Sequence, residues 1–250
     1  MNLRVRSATL HLAGSAAVAA FAAWLVFRLW YPPPLAELAG GTSLFLLLVG
    51  VDVVMGPALT AVVASPAKPR AELVRDLAVI VALQLAAFGY GLHTMALARP
   101  AVIAFEVDRL RLVSANDVDV ATLAEAPAGL RTLSWTGPRL LVAVKPTDPK
   151  EQLRTIDLGL SGVPLAALPR YWRPYADQVP AIWQAARPVA DLLKRHPDTA
   201  PAAEAAARQA GVPVSELRFL SLLARRAEWV ALIAASDARI VGYLPVESGY

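Results

Sequence analysis

At 250 residues the chain is 56% hydrophobic and only 18% charged, with a mean hydropathy of +0.48, which excludes an ordinary soluble domain throughout its length. A pI of 9.6 invites a polyanionic partner, but from Arg99 onward 18 Lys and Arg face 16 Asp and Glu, a net of +2, so no basic surface and no nucleic-acid partner is expected. The absence of cysteine excludes disulfides, thiolate nucleophiles and cysteine-ligated zinc.

The apolar excess lies before Arg99, in three blocks. Met1–Ser7 carries Arg4 and Arg6, and the apolar run from Ala8 to Trp30 follows. That run exceeds the roughly 7–15 residues of a signal h-region, and Trp30-Tyr31-Pro32-Pro33-Pro34 follows it in place of a cleavage site. A retained helix is expected, with Trp24, Trp30 and Tyr31 at an aromatic belt and the prolines as its stop. The second and third blocks each reach the roughly 20 residues that cross a hydrocarbon core. The expected division is a three-helix membrane domain, 1–98, with spans at about 8–30, 42–64 and 77–98, followed by a periplasmic domain, 99–250. The lipid bilayer is thus one expected partner. Arg4, Arg6, Lys68, Arg70 and Arg75 fall on one side of three spans, so the positive-inside rule sets the N-terminus in the cytoplasm of a bacterial inner membrane and the C-terminal domain in the periplasm.

Beyond Arg99 the pattern is α+β with a largely antiparallel sheet. Ala101–Val107 and Leu140–Val144 read as strands, and Ser114-Ala115-Asn116-Asp117 as a cap leading into a short helix near Val118–Ala126. Asp148 followed by Pro149 starts a helix running to about Leu158. From Tyr171 to Gly211, five prolines imply several short helices, and Gly211 ends the last. Leu217–Leu223, Trp229–Ala234 and Arg239–Leu244 are strands, the final pair joined through Ser236-Asp237-Ala238.

Chemistry-bearing motifs are sparse. Phosphate-binding glycine loops, zincin and serine-nucleophile motifs are missing, and His11, His93 and His196 are scattered, so no metal, cofactor or catalytic residue is expected. Asp52 stands out because a carboxylate inside a span costs roughly 2.5–3.5 kcal/mol on insertion scales. It either hydrogen-bonds within the bundle and fixes its packing, or receives a polar group from a partner's membrane helix. Gly56, one turn on, permits close helix approach, and Pro57 removes the donor for the Val53 carbonyl. The small-residue face Ala82, Ala86, Gly89 and His93 is the expected docking surface for the second span, with Tyr90, or else His93, beside Asp52 and Gln84 pointing away. The lack of a second acid in the spans argues against an aspartyl protease. Outside the membrane, Glu106, Asp108 and Arg109, with Asn116 and Asp117, suit a strand-end ion pair and a helix cap, with a paired-carboxylate enzyme or a periplasmic contact surface as the alternatives. Trp172, within Tyr171-Trp172-Arg173-Pro174-Tyr175, suits either a contact surface or a core anchor.

Taken in order, Trp30–Leu35, Leu44–Thr60 with its core Gly50-Val51-Asp52-Val53-Val54-Met55-Gly56-Pro57, Ala98-Arg99-Pro100, Phe105–Arg109, Ala115–Val118 and the closing Val241-Gly242-Tyr243-Leu244-Pro245 resemble the TfpX/TfpZ family of type IV pilin accessory proteins. The resemblance is dense over about the first 120 residues. It implies an inner-membrane, non-catalytic protein that binds a cognate type IV major pilin and assists or modulates pilus assembly. A pilin-modifying enzyme such as a glycosyltransferase is the alternative. Where the family has an acidic-glycine turn before its last strand, this chain has Ser236-Asp237-Ala238-Arg239.

Overall fold

Helix formation before Arg99 follows from long apolar runs rich in Ala and Leu, with Pro57 the one proline inside a long helix among the described residues. In the computed structural model, which describes residues 3–65 and 67–249, these runs become α1 (Leu3–Leu25), the four-residue α2 (Leu35–Leu38), α3 (Gly41–Val63) and α4 (Arg70–Ala98). Met1, Asn2, Pro66 of the basic loop and Tyr250 lie outside the described residues. A π-helical turn, Val26–Trp30, extends α1 to the prolines. Contacts divide the chain into two units, 1–98 and 99–250.

In the first unit α3 is the central element. Gly41, Phe45, Gly56 and Thr60 are buried along it, with Leu48, Asp52 and Val53 half-buried between them, a stripe at helical spacing. Helices α1 and α4 both pack on α3 and not appreciably on each other. Ala22, Val26, Tyr31, Phe45, Phe88 and Met95 form the core at one end, where the Phe27 and Phe45 rings meet edge to face at 5.1 Å. Tyr31, expected at an aromatic belt, is instead fully buried and its hydroxyl donates to the Met95 carbonyl at 3.0 Å. Gly41 makes this possible, since a Cβ there would overlap the Tyr31 ring. Helices α1 and α3, with the π-helical turn counted into the first, are long and apolar enough to cross a membrane. Helix α4 runs for 29 residues and carries no charge between Leu77 and Ala98.

The second unit is built on a mixed sheet of eight strands. They are β1 (Pro100–Glu106), β2 (Arg109–Ser114), β3 (Arg139–Ala143), β4 (Trp172–Pro174), β5 (Arg187–Pro188), β6 (Leu217–Leu223), β7 (Glu228–Ala234) and β8 (Ile240–Leu244). The order is β4-β3-β1-β2-β6-β7-β8, with β5 pairing β6. Five pairings are antiparallel, but β1 pairs β3 and β2 pairs β6 in parallel. Each parallel pair needs a crossover too long for a hairpin, which strand-by-strand reading of hydropathy does not reveal. Between the strands lie α5 (Pro149–Leu160), α6 (Val179–Ala185), α7 (Val189–Arg195) and α8 (Ala200–Ala210).

By strand register two cores share one face of the sheet, over different strands. One gathers Val102, Ala104, Val113, Leu141, Ala166 and Trp172, and the other Leu192, Ala203, Phe219, Val230, Leu232 and Leu244. The region from Tyr171, expected to be helical only, supplies the short β4 and β5 as well, because Trp172 and Arg187 align with strands already in place. The helix expected near Val118–Ala126 is a 3₁₀ turn, Val120–Glu125, capped by Asp119, whose side chain accepts from the Ala121 N–H. Asn116 and Asp117 therefore lie in a separate 3₁₀ turn, Ala115–Asp117, ahead of that cap.

Candidate functional site

The splay of α1 from α4 opens a cleft of about 400 Å³ along α3. Its walls are largely apolar, from Leu10, Val18, Leu77, Val81 and Leu85, while its polar atoms come from Ser7, His11, Ser15, Asp52, Thr60 and Gln84. Across it, His11 Nδ1 and the Thr60 hydroxyl are 2.6 Å apart. At the same end Arg4 Nε donates to the Ala64 carbonyl at 3.0 Å.

Asp52 is met by Gln84, not by Tyr90. The Gln84 Nε2 group donates to the Asp52 backbone carbonyl at 3.1 Å and to its carboxylate Oδ1 at 3.3 Å. Gly56 permits the contact, because a Cβ there would overlap the Gln84 carboxamide. Pro57, half-buried in the next position, lies inside a helix that continues to Val63. The expected docking face of α4 is corrected with it: Tyr90 is 75% exposed, His93 is exposed, and a Cβ on Gly89 would meet nothing. The packed face of α4 carries Gln84, Phe88, Gly91 and Met95 instead, and Gly91 receives the Leu48 side chain. Small residues are the expected interface, yet Gln84 is the stronger signal. A carboxamide within a long apolar run needs a hydrogen-bond partner to repay its burial, and Asp52 supplies a backbone and a side-chain acceptor.

This constellation is an acceptor-rich floor. With Nε2 turned to Asp52, Gln84 Oε1 is buried and has no hydrogen-bond partner among the described residues. A carboxylate and a free carboxamide oxygen side by side in an apolar cleft can receive a hydrogen-bond donor or a cation. Among the described residues no group of three or more His, Asp or Glu could hold a metal ion.

The outer candidates are not one site. Glu106 accepts from the Ala166 N–H at 2.8 Å. Arg109 Nε donates to Asp108 at 2.7 Å, and that hydrogen bond holds the Asp108 carboxyl below its usual range. Asp117 pairs with Arg225, and Asn116 lines a cleft with it. Trp172 is buried, 1% exposed, and its indole N–H donates to the Ala166 carbonyl at 2.9 Å, so it anchors the core and offers no contact surface.

Fold and cleft together define the class: an α+β protein with two N-terminal helices able to cross a membrane and a mixed eight-stranded sheet domain. The sequence model of the family "Fimbrial assembly protein FimB" matches residues 1–40. The fimbrial assembly protein of serogroup I of Dichelobacter nodosus is 32% identical over 226 residues, 90% of this chain and 88% of that one. Its serogroup E1 counterpart is 31% identical over the same share, and that of serogroups C1 and C2 is 39% identical over 117 residues, 47% of this chain and 89% of the relative. No solved structure matches. The chain belongs to the FimB family of fimbrial assembly proteins.

Proposed function

We propose that this fimbrial assembly protein acts as a TfpX/TfpZ-type accessory factor of the bacterial inner membrane. In this reading it spans the membrane three times, holds its N-terminus in the cytoplasm and its sheet domain in the periplasm, and binds one type IV major pilin without chemical modification. The observation that supports a membrane-embedded pilin contact is the Asp52–Gln84 floor: two acceptors in an apolar cleft, one buried oxygen unmet. A pilin waiting in the membrane on an apolar helix would fill such a cleft and offer a donor to its floor. Polar contacts of this kind between membrane helices are worth about 0.6–2 kcal/mol each, enough to select a partner helix and still release it.

The test is co-purification of pilin with the full-length protein from detergent. Asp52→Leu and Gln84→Leu should each reduce pilin capture about tenfold if the two acceptors act together. Capture undiminished in both would overturn the intramembrane contact. Intact-mass measurement of pilin from cells with and without the protein should give identical masses; a difference would mark an enzyme.

A further inference from the structure

Helix α5 carries its large apolar residues on the side away from its own core. Its packed face is Glu151, Thr155 and Leu158, the last against the core, and no residue of the helix is fully buried. At about 100° per residue, Leu153, Ile156 and Leu160 stand on the opposite side, at 64%, 58% and 84% exposure. An amphipathic helix normally turns such a stripe inward, and three large apolar side chains in a row outward mark a contact surface.

Beside this stripe lies a cleft of about 610 Å³ at the carboxyl ends of the parallel pair β1 and β3, the position where open sheets with parallel strands take ligands. Ile156 belongs to both the stripe and the cleft wall. The remaining wall includes Glu106, Val107, Arg111 and Lys145. Arg111 Nε is buried without a hydrogen-bond partner among the described residues. The nearest acid, Glu106, is 3.8 Å from it and already accepts from the Ala166 N–H. Two cations and one engaged acid leave the cleft an uncompensated positive charge and an unmet donor. Val107, on the rim, is a β-branched residue with φ of 64°, strain of a kind kept at contact sites.

We propose that this cleft and the outward face of α5 seat an extended acidic peptide segment, its carboxylate on Arg111 and Lys145 and an adjoining apolar side chain against Ile156. This rests on the pilin-binding reading, and the segment is assigned to the globular part of the pilin. A lipid surface fits less well, because Lys150 and Arg154 on α5 are balanced by Glu151 and Asp157, leaving no basic excess to draw anionic headgroups.

The experiment places a benzoylphenylalanine photo-crosslinker at Ile156 of the full-length protein, in cells making pilin. Irradiation should yield a pilin adduct, reduced about tenfold by Lys145→Glu, an exposed position where the fold is untouched, and reduced likewise by Arg111→Gln. An adduct unchanged by both substitutions would overturn the carboxylate contact. Adducts only to lipid or to a second copy, or none while pilin still co-purifies, would overturn the site and leave the pilin reading standing. Pilin that neither crosslinks nor co-purifies would overturn both.

Discussion

Among the described residues two hold a left-handed backbone without being glycine, and their surroundings give them different consequences. Val107 has φ of 64°, and the Asp108 N–H bonds back to the Glu106 carbonyl at 2.8 Å, the three-residue turn that is rare and strained. A side chain in that region costs about 1–2 kcal/mol, and Val107 is 52% exposed, so little packing offsets it. Val107→Gly should therefore raise stability by about 1 kcal/mol after the entropy of the unfolded glycine is subtracted, read as a higher midpoint in urea. Ala238 has φ of 55° but is fully buried, and its carbonyl accepts from the Tyr175 hydroxyl at 2.8 Å. Removing its methyl forfeits roughly 0.8 kcal/mol of burial, so Ala238→Gly should be close to neutral by the same measurement. Tyr175 and Tyr243, both half-buried, give a pH signature. Desolvation raises the Tyr175 pKa and pushes Tyr243 up to about 12, so the folded state binds the phenolic protons more tightly than the unfolded chain, whose tyrosines titrate near 10. That stabilisation is fully present below about pH 10 and is lost as pH rises toward 12. Phenolate absorbance and circular dichroism should change together over that window, and Tyr243→Phe should shift the transition to higher pH.

At the level of elements, stability is uneven. Strands β6 and β7 are paired along their whole lengths and lined by buried residues, whereas α5 rests on half-buried Leu158 and Thr155, the Glu151 contacts with Tyr171 and Arg170, and a cap, Asp148 accepting from the Lys150 and Glu151 N–H groups. Amide exchange should therefore be slow in β6 and β7 and fast in α5, and Asp148→Ala should accelerate exchange in α5 alone, costing about 1 kcal/mol of helix stability. Uniform exchange across these elements would contradict that ranking. The same contrast explains what the sequence disclosed. The strand at Leu217–Leu223, the Asp148-Pro149 helix start and the Gly211 stop are local signals, and all three stand where local chemistry put them. The parallel pairings, the strand at Trp172 and the partner of Asp52 depend on segments 29 or more residues apart, which no local pattern specifies. Small residues on α4 suggested an interface, but Ala82, Ala86 and Gly89 are exposed, and packing instead followed the glycines that faced something, Gly56 and Gly91.

For the whole molecule, the open matter is which ends of the first unit share a side. The bond from Arg4 to the Ala64 carbonyl and the His11–Thr60 contact bring the start of α1 and the end of α3 together. Arg4 and Arg6 therefore gather at one end of the unit with the segment that bears Lys68, Arg70 and Arg75. Lys68 is partly neutralised by Asp76 at 2.7 Å and Glu72 at 3.7 Å, but acids count little in setting orientation, so the proposed topology makes this the cytoplasmic end. With α1 and α3 spanning, a reporter joined after Ala64 returns to the N-terminal side. The decisive element is α4, whose Leu77–Ala98 stretch is uncharged and long enough to cross. Alkaline phosphatase, active only outside the cytoplasm, should be inactive when fused after Ala64 and active when fused after Ala98. Inactivity at both positions would leave α4 and the sheet domain in the cytoplasm and remove the periplasmic contact with pilin. Activity at the first alone would invert the bundle, placing the Asp52–Gln84 cleft in the outer half of the membrane.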